Sequence, residues 1–114
     1  MAGKDTLVYL MHIRDCCERI LEYTTRGKEE SVSDPMVLYA VCRNLEILGE
    51  AAKRTDSEFR SAHPEIPWRK MAGARDILIH AYEETDPEIV WDIVESDIPP
   101  LLVEVRRLLG EATG

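Results

Sequence analysis

Two Asp-Pro pairs and one Pro-Pro pair constrain this chain more than any other feature. An aspartate followed by proline is a helix start. The carboxylate caps free N–H groups, and proline, which has no N–H to offer, fits the first turn. Asp34-Pro35 and Asp86-Pro87 therefore each open a helix. Pro99-Pro100 must kink or restart the last one, because the bonds their nitrogens would donate in a helix interior are lost. Between these marks, apolar residues return at spacings of three and four. Leu10, Ile13, Cys17, Ile20 and Leu21 form one stripe, which Leu7 and Thr24 continue. Leu38, Val41, Leu45, Leu48 and Ala52 form a second, and Leu101, Leu102, Val105, Leu108 and Leu109 a last one. Such stripes are helix faces, and no stretch alternates as a strand would.

The chain thus divides into a first helical run over about 4–27, stopped by Gly27, and a second from Pro35 to about Arg54. Long helices with such faces pack antiparallel. "KEESVSD" between them reads as a polar connection. Residues 55–67 read as irregular, with one short helical piece at "SEFRSA" that "HPEIP" ends. Pro67 opens a third run, "PWRKMAGARDILIHAYEE", and the fourth starts at Asp86-Pro87 and closes at Gly110. The expected fold class is all-α: four main helices, the last kinked or divided. With 114 residues, 45% of them hydrophobic, one domain over residues 1–114 with a single core is expected.

No apolar run is long enough to span a bilayer, so no membrane partner is expected. The N-terminal segment meets charges too early for a signal peptide. Cys16, Cys17 and Cys42 are odd in number and lack metal-site spacing, which points to reduced thiols in a cytoplasmic protein. The net charge of −8 argues against non-specific nucleic-acid binding. The charge is uneven, however. Residues 43–75 carry seven Lys/Arg and five Asp/Glu, a local +2 that leaves −10 for the remainder.

The third run holds the chemistry. Arg75, Asp76, His80 and Tyr82 crowd one short, otherwise apolar span, "AGARDILIHAY". Burying such groups is costly unless each is paired or used. Asp76 and His80 are four apart and share a helix face, so the carboxylate can fix the imidazole's tautomer. Arg75 and Tyr82, seven apart, share another. Arg75 and His80 lie about 140° apart on an ideal helix. To act on one atom, the arginine must curl round, the helix distort, or a second copy complete the site. An arginine fork matches phosphate oxygens, and a histidine moves protons near neutral pH. Together they suffice for RNA cleavage without metal: a base takes the 2′-OH proton, the hydroxyl attacks its own phosphate, and a cation stabilises the developing charge. His12, His63 and His80 are scattered, so no metal cluster is evident, and no phosphate-binding glycine loop or cofactor motif is present. The same residues also admit a structural reading: a surface Asp76–His80 pair, a solvated Arg75 and a packing Tyr82. Trp68 and Trp91 read as core or interface aromatics.

"ARDILIHAY" resembles the Arg-x4-His-x-Tyr pattern of the HepT-type toxins in the HEPN superfamily. "NLEILGEAAKR", "HPEIPWRKMAGAR" and "DPEIVWDIVESDIPPLL" resemble the same family's second helix, motif approach and final helix. The resemblance implies an up-and-down helical bundle and a homodimer whose third helices meet, so that two Arg75/His80 sets line one cleft. It implies a metal-independent ribonuclease acting as the toxin of a toxin–antitoxin pair. The partner would be a small nucleotidyltransferase of the MNT type, which can neutralise the toxin by attaching AMP to the motif tyrosine, here Tyr82. On that basis Arg75 stabilises the phosphate and transition state, His80 is the general acid/base, Asp76 orients His80, and Tyr82 is the AMP acceptor. Arg43, Glu46 and Glu50, at spacings of three and four, could pair with Arg75 or His80 or form an ion-pair row among themselves. Lys53, Arg54, Arg69 and Lys70 could track an RNA backbone or simply be a solvated face. The competing function is a catalytically quiet helical module that binds nucleotide or a nucleotidyltransferase.

Overall fold

The structure, a computed structural model, describes residues 3–80 and 86–111; of residues 76–80 it describes the helical backbone only. The described residues are all-α. The order is α1 (Lys4–Tyr23), α2 (Lys28–Ser33), α3 (Pro35–Arg54), α4 (Ser57–Ala62), α5 (Trp68–His80), α6 (Pro87–Asp92), a π-helical turn (Ile93–Asp97) and α7 (Ile98–Leu108). Four long units emerge, as expected: α1, α3, α5, and the run from α6 through the π turn to α7.

Both Asp-Pro starts form as the sequence indicates. The Asp34 carboxylate accepts the Met36 N–H at 2.9 Å, and Asp86 accepts the Glu88 N–H at 2.9 Å. Asp56 does the same for α4, accepting from the Phe59 N–H at 3.2 Å. Gly110 closes α7 with a φ of 74°, where a side chain would be strained. There the Glu111 N–H reaches the Arg106 carbonyl and the Gly110 N–H that of Arg107, the paired bonds of a Schellman ending.

Pro99 and Pro100 are accommodated by a restart rather than a bend at their own position. They fall in the first turn of α7, where missing N–H groups cost little. The register change lies one turn earlier, where the Ile98 N–H bonds the Ile93 carbonyl five residues back.

Two expectations need correction. "KEESVSD" is not a plain connection: Lys28–Ser33 is a short helix, α2, packed against α3 and α6, with Ser31 buried and Lys28 ion-paired to Glu88 at 2.6 Å. Nor does the first helix run to Gly27. It ends at Tyr23, and Gly27, with φ 94°, precedes α2 instead. A six-residue helix has no apolar period of its own to read. It exists because α3 and α6 supply it with contacts.

The core joins the stripes. Leu10, Ile13, Cys17 and Ile20 of α1, Val41, Leu45, Leu48 and Ala52 of α3, and Leu101, Leu102 and Val105 of α7 are all buried in one cluster. Leu7 lies at the exposed edge of its stripe, while Thr24 is buried with its hydroxyl on the Ile20 carbonyl at 2.8 Å. Trp68 is a core aromatic whose indole N–H donates to the His63 carbonyl, and Trp91 packs at the edge of the cluster. All three cysteines are free and buried. Burial pushes the Cys16 thiol up to about 11 and that of Cys17 up to about 12, so both stay protonated. Helix α3 packs extensively on α1 and on α5, and α1 packs on α7 as well. That central position of α3 places the candidate site. No helix among the described residues is long and apolar enough to cross a membrane.

Candidate active site on the α3–α5 seam

Helices α3 and α5 meet at Gly49. A Cβ placed there would lie 2.4 Å from the Cβ of Arg75 and 2.8 Å from the Met71 carbonyl oxygen, so only glycine permits this approach. The contact fixes the root of the Arg75 side chain against the α3 backbone. The next residue on α3 reaches its head: the Arg75 Nε lies 3.1 Å from Glu50 Oε2. The other oxygen of the same carboxylate, Oε1, accepts a hydrogen bond from Arg54 Nε at 2.9 Å. Glu50 therefore bridges two arginines, one on each helix. The Arg54 hydrogen bond holds its carboxyl below the usual carboxylate range, against some desolvation, and the charges of Arg75, Arg54 and Lys53 add to the effect. The Arg54 guanidinium is in turn raised by Glu50 and, to a smaller extent, by the Tyr9 side chain.

A pocket of about 290 Å³ opens at this bridge. Helix α3 lines it with Arg43, Glu46, Glu50 and Arg54, α5 contributes Arg75, and α1 contributes Tyr9 and His12. Arg43 contacts Glu46 at 3.4 Å. The α3 residues belong to one stripe, which starts with the exposed Met36 and Tyr39 and continues through Arg43, Glu46 and Glu50 to Arg54. The pocket thus carries cationic forks suited to phosphate, alongside two aromatic rings whose centroids are 6.4 Å apart.

Of the residues singled out in the sequence, Arg75 is placed at this pocket. It is not solvated, since its side chain is only 27% exposed and is ion-paired. The side chains of Asp76 and His80, and Tyr82 altogether, lie outside the described residues, as does the end of the third run at 81–85. The two readings of Arg43, Glu46 and Glu50 both hold in part: Arg43 and Glu46 pair along α3, while Glu50 pairs both within α3 and across to Arg75. The four cations suggested for RNA tracking are not equivalent. Arg54 belongs to the pocket, and Lys70 is engaged by Asp97 at 2.9 Å. Lys53 and Arg69 are exposed.

Tyr9 escaped the sequence reading, and His12 entered it only as one of the scattered histidines that make no metal cluster. They lie on α1, far from the motif in the chain, and reach the pocket only because α1 packs beside α3. Their spacing of three beside the apolar stripe was the available signal, and it does not distinguish a pocket wall from an ordinary helix flank.

The fold and pocket define a small helical protein with an arginine-bearing inter-helix site. The family model "Ribonuclease HepT-like" matches residues 13–108, and the chain belongs to that family. It is 44% identical over 101 residues to a protein of Thermococcus cleftensis named probable ribonuclease HepT, covering 88% of this chain and 92% of that one. It is 40% identical over 102 residues to a candidate RNase of Caldanaerobacter subterraneus subsp. tengcongensis, covering 89% and 91%. To a candidate RNase of Methanocaldococcus jannaschii it is 37% identical over 107 residues, covering 93% and 98%. No solved structure matches the chain.

Proposed function

We propose that the protein is a metal-independent RNA endonuclease, the cytoplasmic toxin of a HepT/MNT-type toxin–antitoxin pair. Membership of the HepT-like ribonuclease family supports the nuclease reading. The observation that carries it at residue level is Arg75 at the mouth of the α3–α5 pocket, rooted at Gly49 and engaged by Glu50.

In this reading the Arg75 guanidinium binds the scissile phosphate and stabilises the charge that grows on its oxygens. His80, oriented by Asp76, takes the proton of the 2′-OH as that oxygen attacks the adjacent phosphorus. The bond to the 5′-oxygen breaks, a proton is returned to the leaving oxygen, and a 2′,3′-cyclic phosphate remains. A homodimer in which two copies of α5 meet brings Arg75 of one copy toward His80 of the other and removes the 140° difficulty. Met36 and Tyr39, 81% and 62% exposed on the stripe that leads to the pocket, offer apolar surface for such an assembly. Control would fall to Tyr82. A nucleotidyltransferase partner would join its phenol oxygen to the α-phosphate of ATP with release of pyrophosphate, placing a bulky anion beside Arg75.

The test is cleavage of single-stranded RNA in excess chelator, with end-group analysis. Wild type should produce cyclic-phosphate ends, and His80→Ala should lose about 10²–10⁴-fold in rate. Tyr82→Phe should keep much of the activity and escape the partner and ATP, gaining no adenylate mass. Activity that requires added magnesium, or a His80→Ala variant that cleaves as wild type, would overturn the mechanism.

A further inference from the structure

Arginine has a long side chain whose head samples many positions unless something holds it. A cation that must meet a phosphate in a narrow geometry gains from being fixed in advance, because small misplacements cost large factors in rate. The structure fixes Arg75 twice from one turn of α3. Gly49 brings the α3 backbone against the Arg75 Cβ, and the Glu50 carboxylate ion-pairs with the guanidinium, 3.1 Å from Nε. Glu50 is itself tied down, since its second oxygen accepts from Arg54 Nε at 2.9 Å.

We propose that Glu50 is a positioning residue for Arg75: its carboxylate, anchored at one oxygen by Arg54, holds the Arg75 guanidinium by ion pairing in the place where it meets an RNA phosphate. This rests on the proposed role of Arg75 in phosphate binding. The opposite role for the same contact would be a mask, a carboxylate that competes with phosphate for the arginine. The two differ in sign, since removing a positioner slows the reaction and removing a mask speeds it or tightens RNA binding. Because the Glu50 carboxyl is held below the usual carboxylate range, the bridge stays charged throughout the pH range in which histidine titrates. Glu50 therefore acts by aim, without shaping the pH profile there.

The experiment is steady-state cleavage of a labelled, mixed-sequence single-stranded RNA by wild type, Glu50→Ala, Glu50→Gln, Arg75→Ala, Arg75→Lys and the double variant Glu50→Ala/Arg75→Lys. Circular dichroism on each confirms that it is folded. Glu50→Ala should lower kcat about tenfold or more with KM changed far less, and its pH profile should keep the wild-type shape. Glu50→Gln, which retains one acceptor oxygen, should keep more activity than Glu50→Ala. In the Arg75→Lys background Glu50→Ala should cost almost nothing further, because the group through which it acts is gone. The inference is overturned if Glu50→Ala has wild-type kcat, if it raises kcat/KM, or if it costs the same factor with Arg75→Lys as without it. Should Arg75→Ala cleave as wild type, or wild type leave the RNA intact, the reading of Arg75 fails and takes this inference with it. Impaired arginine variants beside an unimpaired Glu50→Ala overturn the positioning role alone.

Discussion

Helix α3 has two different seams. On one side it joins α1 and, through it, α7 in a cluster of interlocking apolar side chains: Leu10, Ile13, Cys17, Ile20, Val41 and Val105 among them. On the other it approaches α5 so closely at Gly49 that backbone and Cβ meet directly, and charged groups cluster beside the contact. The first seam is held by buried area and tolerates small shifts of its members. The second adds to buried apolar side chains such as Leu48 and Met71 a backbone approach with no spare volume, and it fixes where one arginine begins. Both seams contribute apolar burial to stability, Met71 and Trp68 of α5 included, while the geometry needed for chemistry resides in the second. A mutation at the first seam should therefore show in the thermogram alone, and one at the close approach of the second in the rate as well.

The largest effect on stability is expected on the apolar side. Ile13 is fully buried, and Ile13→Ala should cost about 2–5 kcal/mol, the range for truncating a packed aliphatic side chain and leaving a cavity. Chemical denaturation would measure it. The folded fraction should retain a kcat near that of wild type, since Ile13 belongs to the buried core and is not among the residues that line the pocket. A rate that falls as steeply as the stability would erase the distinction between the seams.

A smaller loss of stability, with a larger loss of rate, is expected from Gly49→Ala. One methyl group inserted at 2.4 Å from the Arg75 Cβ and 2.8 Å from the Met71 carbonyl must push the helices apart. Overpacking of this kind costs about 1–3 kcal/mol. The displacement would move the root of Arg75, and kcat should drop more than the stability loss explains at temperatures where the variant is fully folded. Wild-type kcat in Gly49→Ala would show that the close approach is only a packing solution.

The two seams also differ in how far the sequence discloses them. Asp34, Asp86 and the apolar stripes are local signals, since a cap and its N–H groups lie within three residues, and the helices they predict are present. The resemblance carried by "ARDILIHAY" and its neighbours pointed to the family that the chain proves to belong to. Glu50 could not be settled by spacing because it satisfies both readings at once: one oxygen serves Arg54 four residues on, and the other serves Arg75 on a different helix. Helix α2 was missed because a six-residue segment draws its stability from α3 and α6 rather than from its own pattern. Tyr9 and His12 became pocket residues only through the packing of α1 beside α3, which no spacing rule on α1 alone contains. The sites proposed at Asp76, His80 and Tyr82 remain a matter of sequence and chemistry, as their side chains lie outside the described residues.

The smallest effect comes from a matched set of two ion pairs, each joining two helices. Arg106 of α7 contacts Glu18 of α1 at 3.0 Å, with side chains 29% and 44% exposed. Arg75 of α5 contacts Glu50 of α3 at 3.1 Å, with side chains 27% and 38% exposed. By distance, by exposure and by joining two helices the pairs are nearly the same, so simple electrostatics gives them similar and modest roles in stability, weakened further by salt. Arg106→Ala should shift stability by no more than about 1 kcal/mol and leave the cleavage rate unchanged. Glu50→Ala should be similarly mild in the melting curve yet plainly visible in kcat. The measurement is a melting temperature and a kcat for each variant at low and at raised salt. If Arg106→Ala slows cleavage as much as Glu50→Ala does, the α3–α5 pair has no special standing and the effect belongs to the charge balance of the whole surface. A loss confined to Glu50→Ala would instead trace the difference between two look-alike ion pairs to what lies next to each: a solvent-facing helix edge beside Arg106, and beside Arg75 the pocket that Tyr9, His12 and Arg54 complete.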